Sequence, residues 1–303
     1  MAYSFRTRAI LLTVVASLIW GTSFPGVKWG LSYVGNDVVF LWLRFAVASV
    51  VTLSIVLPLR KLQLSVFRNP YIWLIGGLNS AAFVTQYIGL NYTSASKTAL
   101  LVDINVVAVA IISYFVFRER IGSKQAFGIT TGLAGIAMLT ADGGLSFDSS
   151  ELIGDIMVYS CGWLWAFFIV LNKKMLSKFN AVQLSSSAIV TSAIWLLIPL
   201  AYLGYVGADF TVETPGWLAV VYLGVMCTSV AILFWAMGLE GVSATSSATI
   251  MLIEIVTALA ISISLLDETL RPLAAFGAAL VFAAIYLVAS GEGRKEVASI
   301  AHV

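Results

Sequence analysis

Ten apolar runs, each long enough to cross a hydrocarbon layer, govern what this chain of 303 residues can fold into. They fall at residues 9–29, 37–59, 70–90, 97–117, 123–140, 153–171, 183–204, 217–237, 244–266 and 272–290. A helix rises about 1.5 Å per residue, so about twenty apolar residues cross a core about 30 Å thick. The runs do not alternate polar with apolar positions, which argues against barrel strands, and backbone in lipid must satisfy its own hydrogen bonds, which leaves helices. A chain with 60% apolar and only 11% charged residues could not cover a soluble surface. The expected fold is an all-α polytopic membrane protein with ten transmembrane helices. Arg6 and Arg8 precede the first run as they would in a signal peptide. That run is too long and lacks a small-residue cleavage site, so it is expected to stay as an anchor.

A second feature organises the ten runs. Laid 149 residues apart without a gap, residues 83–142 and 232–291 coincide repeatedly. Gly89-Leu90 falls on Gly238-Leu239, Ser94-Ala95 on Ser243-Ala244, Glu119 on Glu268, and Ala126-Phe127-Gly128 on Ala275-Phe276-Gly277. Such a match across a loop marks an internal duplication. Its units are residues 1–141 and 152–303, with five runs in each, joined by the polar stretch Asp142 to Glu151. Five is odd, so equivalent helices would cross in opposite directions. That is the plan of two inverted five-helix repeats, which in secondary transporters meet around a central substrate site. With the N-terminus inside, thirteen of the seventeen Lys and Arg residues fall on the cytoplasmic side and three, Lys28, Lys97 and Arg271, on the outer side, with Arg44 inside the membrane. This bias predicts a multi-pass protein of the cytoplasmic membrane with both termini in the cytoplasm. It also makes the net charge of +2 a matter of topology, with no nucleic-acid partner implied.

Polar groups inside apolar runs are costly and mark candidate sites. Glu254 lies near the middle of the ninth run, roughly 15 Å from its start. It is a candidate for binding a coupling proton or a cationic substrate group, the alternative being a carboxylate satisfied by neighbouring helices. The 149-residue shift places Asn105 on Glu254, so Asn105 is the second candidate for the central site. Arg44 and Asp103 sit at similar depths, which predicts an ion pair with a structural or gating role. Two residues apart on one helix, Asp103 and Asn105 are expected on different faces. In the third run Asn79, Phe83 and Gln86 recur at helical spacing with Tyr87 at the edge, either as interhelical hydrogen bonds or as cavity lining.

Tyr159, Trp163 and Phe167 share one face of the sixth run, Trp165 lies on another, and Trp163 is deep enough to wall a cavity. Pro25, after Trp20-Gly21, predicts a kink near residue 21, and Pro199 predicts a bend in the seventh run. Trp235 is expected at the inner interface. Gly128, Gly132 and Gly135 permit close helix packing, within the chain or across a dimer face. Cys161 and Cys227 both lie inside runs, so no disulfide is expected.

Together these residues resemble the drug/metabolite transporter superfamily, in its EamA-domain branch: Trp20-Gly21 with Lys28 in the first span, Arg44 in the second, and a polar slot followed by a terminal Glu in spans four and nine. In that family the slot commonly reads leucine, Glu, Pro. Here Asn105 and Glu254 take the Glu place, Val106 and Ile255 stand where the family has Pro, and Glu119 and Glu268 match the terminal Glu. The resemblance implies a secondary active transporter of small organic metabolites, often an exporter of amino acids or related compounds, working by alternating access with or without proton coupling. The expected substrate-binding residues are Asn79, Phe83, Gln86, Tyr87, Asn105, Trp163, Glu254 and Trp20, with Glu254, Arg44 and Asp103 in coupling or gating. The expected partners are a small-molecule substrate, the lipid bilayer and protons, with no cofactor or metal, in a monomer or homodimer. A passive channel or an uptake carrier for a small cationic or neutral solute is the competing reading. No Ser-His pair, paired catalytic aspartates, metal-ligand spacing or phosphate-binding loop argues for an enzyme or an ATP-driven pump.

Overall fold

Short polar residues between the apolar runs set where the helices begin. In the computed structural model, which describes residues 2–92, 101–118, 121–141, 152–266 and 272–300, the Asn36 side chain accepts from the Val38 and Val39 amides. Asn69 accepts from Tyr71 ahead of Pro70, Asn180 from Gln183, and Ser243 from Ser246. Each satisfies amides that a helix start otherwise leaves open, and Pro70 occupies a first-turn position that has no amide to lose.

The helices so delimited are α1 (Ala2–Leu31), α2 (Asp37–Val56), α3 (Pro70–Leu90), α4 (Asn105–Phe117) and α5 (Ser123–Ala141) in the first half. The second half holds α6 (Leu152–Met175), α7 (Ala181–Tyr205), α8 (Thr214–Gly241), α9 (Ala244–Met251 continued by Ile253–Leu266) and α10 (Pro272–Ile300). Five of them, over Phe5–Leu31, Asp37–Val56, Leu152–Met175, Ala181–Tyr205 and Thr214–Gly241, are each long and apolar enough to cross a membrane. Outward-facing Phe115, Phe127, Leu218, Phe276 and Tyr286 are more than half exposed, as suits a lipid-facing surface.

Helix packing pairs the two halves. α1 packs on α8 and α9, and correspondingly α6 packs on α3 and α4; α2 packs on α8, and α7 on α3; α2 meets α7, α4 meets α9, and α5 meets α10. The correspondence reaches single residues. A Cβ at Gly89 would meet the Val158 side chain at 2.7 Å and the Gly154 carbonyl oxygen at 3.3 Å, and a Cβ at Gly238 would meet the Ala9 carbonyl oxygen at 2.8 Å and crowd Thr13. Only glycine allows backbones this close.

The helix ends gather in two sets. On one side the loop after α1 pairs with the loop before α8, through a bridge between Val34 and Val212 and the amides of Gly35 and Glu213. There Asn91, after α3, donates to Asp37 at 2.9 Å, and Gly154 at the start of α6 lies against Tyr92. On the other side Lys173, near the end of α6, donates to the carbonyls of Leu239 and Val242 at 2.6 and 2.7 Å, and Glu240 accepts from the amide of Ala181 at the start of α7. So α1 ends where α6 begins, and α3 and α8 end on opposite sides.

Several local expectations are modified. α7 does break, at Leu196, three residues ahead of Pro199, where the missing proline amide frees a carbonyl of the preceding turn. α1, in contrast, runs unbroken through Pro25. Gly128, Gly132 and Gly135 all face α10 or α9 of the same chain, so this face is already filled and is not free for a dimer. Trp235 is not interfacial: it is 1% exposed and its indole donates to Ser247 at 3.0 Å. Glu119, Glu268, Lys97 and Arg271 lie outside the described residues.

Candidate functional site

Two helix breaks and one wide turn bring the interior polar groups together. α9 stops at Met251 and restarts at Ile253, with the Leu252 amide bonded to Thr249 in a tightened turn. Glu254 therefore sits in the first turn of a new half-helix, where open amides favour negative charge. Residues 103 and 104 form the matching turn ahead of α4, with the Val106 amide on the Asp103 carbonyl, so Asn105 is the first residue of its own half-helix. Both breaks occur although Val106 and Ile255 stand where a proline was expected. Glu254 lies deep in the bundle yet keeps part of its surface open, as a residue lining an internal space does, whereas Asp103 and Asn105 are buried.

The expected ion pair of Arg44 with Asp103 does not form. Arg44 is 2% exposed, its Nε donates to the Thr228 hydroxyl at 2.8 Å, and its guanidinium lies 5.1 Å from the centre of the Phe83 ring. The electrostatic neighbour of Asp103 is Glu254, and one carboxylate oxygen of Asp103 is buried without a hydrogen-bond partner. Matched depth fixed the level of these charges but not their direction around the helix axes: α2 turns to α7 and α8, while α4 turns to α6 and α9. The turn at 103–104 interrupts the regular helical rotation on which the expectation that Asp103 and Asn105 face apart rests.

The wide turn is in α8, where Leu223–Val230 is π-helical. Thr228 and Ser229 return their hydroxyls to the carbonyls of Leu223 and Gly224, five residues back. The register shift presents the Cys227 carbonyl to the Trp20 indole at 2.8 Å and the Thr228 hydroxyl to Arg44. Such turns often occur at functional sites. Nothing in the periodicity of α8 disclosed it; the cluster Gly224, Cys227, Thr228, Ser229 within an apolar run was its only trace.

From Arg44 a file of rings crosses the bundle. Phe83 meets Trp165 at 5.0 Å, Trp165 meets Phe168 at 5.3 Å, Phe168 stacks on Trp235 at 5.4 Å, and Trp235 meets Trp20 at 6.3 Å. Phe45 and Tyr87 flank Phe83. Gly21, beside Trp20, packs against the Glu254 carbonyl and Thr257. Of the residues expected to bind substrate, Trp20 and Phe83 lie in this file and Tyr87 flanks it. Trp165, Phe168 and Trp235 are additions that their aromatic character and mid-run positions could have signalled. Trp163 packs at the edge of the core outside this file, because Tyr159 and Phe167 on its face point outward. Gln86 is partly open and bonds to no described residue. Asn79 is fully buried and donates to Ser192 at 2.9 Å, joining α3 to α7, a hydrogen bond contributing about 0.6 kcal/mol in lipid.

A bundle of membrane-length helices with buried charges and a file of aromatic rings across its interior defines a class, the multi-pass membrane transporter. The sequence profile of the EamA-like transporter family matches residues 7–141 and again 152–290, and the chain belongs to that family. An uncharacterized transporter of Archaeoglobus fulgidus is 27% identical over 93% of this chain and 97% of its own. A probable terminal-alkyne amino-acid exporter of Streptantibioticus cattleyicolor is 25% identical over 95% and 94%. A crystal structure at 19% identity superposes with a TM-score of 0.80, covering 96% of this chain and 99% of that one. The protein is thus a transporter and not an enzyme.

Proposed function

We propose that this transporter is a secondary active exporter of amino acids or related small organic metabolites, working by alternating access of two inverted five-helix repeats, with both termini in the cytoplasm. The observation that carries this reading is the carboxylate pair of Asp103 and Glu254 at the breaks of α4 and α9. Two like charges on packed helices in a low-dielectric interior repel, and a proton or a substrate ammonium group near them removes the repulsion. Glu254, the more open of the two, exchanges that occupant with the central space.

The reciprocal packing of the halves, the opposed ends of α1 and α6, and the double match of the family profile support the repeats. The similarity to an amino-acid exporter favours amino acids as the substrate class. Trp20, Phe83 and the partly open Trp165 form an apolar wall for the substrate's carbon skeleton, and Gln86 and Asn105 supply neutral polar contacts.

The test is exchange in proteoliposomes under an imposed pH gradient. The wild type is expected to carry out saturable counterflow driven by the gradient, and Glu254→Gln to lose the response to pH. Flux that rises without saturation would replace the carrier with a channel. An unaltered pH response in Glu254→Gln would remove Glu254 from coupling.

A further inference from the structure

Arg44 is a buried charge for which no described residue supplies a counter-ion. Its Nε is bonded to Thr228, and its guanidinium also approaches the Tyr87 hydroxyl. The acid on the same helix, Asp37, is about two turns away by its spacing and is held by Asn91. An unpaired guanidinium in a membrane interior is unstable enough to call for a partner.

A second polar group waits beside it. Tyr87 is 4% exposed, its hydroxyl has no hydrogen-bond partner, and Arg44 is its nearest strong charge. Phe83, whose ring lies against the guanidinium on one side and begins the aromatic file on the other, connects this pair to the central space.

We propose that Arg44 and Tyr87 form an anion subsite that receives the carboxylate of a zwitterionic substrate. A guanidinium offers two parallel N–H donors that match the two oxygens of a carboxylate, and the phenol adds a third donor. Thr228 fixes the guanidinium by holding Nε. The Asp103 and Glu254 pair, reached from Arg44 along the rings that end at Trp20, takes the ammonium end. The inference rests on the transporter reading above and adds what the substrate must carry: both a carboxylate and an ammonium group, with an apolar side chain against the rings.

The experiment compares phenylalanine and leucine with phenethylamine and isoamylamine, which keep the amine and lack the carboxylate, by thermal stabilisation of the purified protein and by counterflow in proteoliposomes. The wild type is expected to favour the amino acids about ten- to a hundredfold, the scale of charge-assisted hydrogen bonds. Arg44→Gln is expected to erase that preference while still binding the amines, which also demonstrates that the variant is folded. Tyr87→Phe keeps the packing and should reduce the preference several-fold.

A wild type that treats amino acid and amine alike, or an Arg44→Gln protein that keeps the preference, overturns the subsite. Saturable exchange of the amines alone overturns it while leaving the carrier reading in place. Absence of saturable exchange for all four probes and for a wider set of sugars and nucleosides overturns both.

Discussion

The breaks in α4 and α9 have one backbone plan and different chemistry. Each interrupts a helix at the same place in the 149-residue register, at Asp103-Ile104 in one half and at Leu252, the counterpart of Asp103, in the other. Each restarts with a polar residue in the first turn. In α4 that residue is Asn105, and the acid stands two positions earlier, buried in the turn itself; in α9 it is Glu254, and the turn holds Leu252. The two breaks match in backbone and differ in charge. A symmetric site would present the same groups to either side of the membrane, whereas these breaks make one half carry the accessible carboxylate and the other its neutral counterpart.

Relocating the charge tests this contrast most severely. Glu254→Gln should reduce gradient-driven exchange to the level of protein-free vesicles, while Asn105→Ala should lower exchange only a few-fold, the scale of one neutral hydrogen bond. The double variant Asn105→Glu with Glu254→Asn moves the acid to the other half of the chain. If the two breaks are equivalent in backbone, it should recover part of the exchange that Glu254→Gln loses. No recovery above that single variant would mean that the half-helices differ in more than their side chains. Asp103→Asn, which removes the repulsion but not the accessible acid, should fall between Glu254→Gln and Asn105→Ala in rate and keep a response to pH.

A smaller effect tests how closely the α9 break is held. A Cβ at Gly21 would meet the Glu254 carbonyl oxygen at 2.7 Å and crowd Thr257. Gly21→Ala should therefore destabilise the protein by about 1–3 kcal/mol, as overpacked positions do, read as a lower unfolding midpoint in detergent. A stable Gly21→Ala variant would mean that α1 can move off α9 freely.

The breaks also mark how far the sequence could be read. The apolar runs were legible because they depend on long stretches, where single-residue accidents average out. The interior placement of Glu254, Asn105, Trp20, Phe83 and Tyr87 was legible because a polar or aromatic group deep in a run needs a reason to be there. The partner of each charge was not, because depth along a helix is one coordinate and the direction a side chain takes around the axis is another. Arg44 was assigned to Asp103 by depth alone, and the π-turn in α8, which supplies Thr228 instead, leaves no periodic mark. The α4 and α9 breaks themselves went unread because the usual proline is missing and the interruption is set by packing between the halves.

The exposed acid Asp209 completes the comparison by showing what a carboxylate does when it is not in the interior. It lies in the loop after α7, where the Thr211 amide and hydroxyl donate to it at 2.8 and 2.9 Å and hold its carboxyl below the usual range. A carboxylate whose value is lowered by folding stabilises the fold above its unfolded value of about 3.9 and loses that contribution as pH falls through the lower, folded value. Asp209→Ala should therefore have a slightly lower unfolding midpoint than the wild type at pH 7. The two should draw together as pH falls below about 4 and converge below the lower, folded value, and counterflow should be unchanged at every pH. A change in the pH profile of transport in Asp209→Ala would mean that the paired loops after α1 and α7 belong to the transport cycle. The contrast between interior and surface acids would then have to be redrawn.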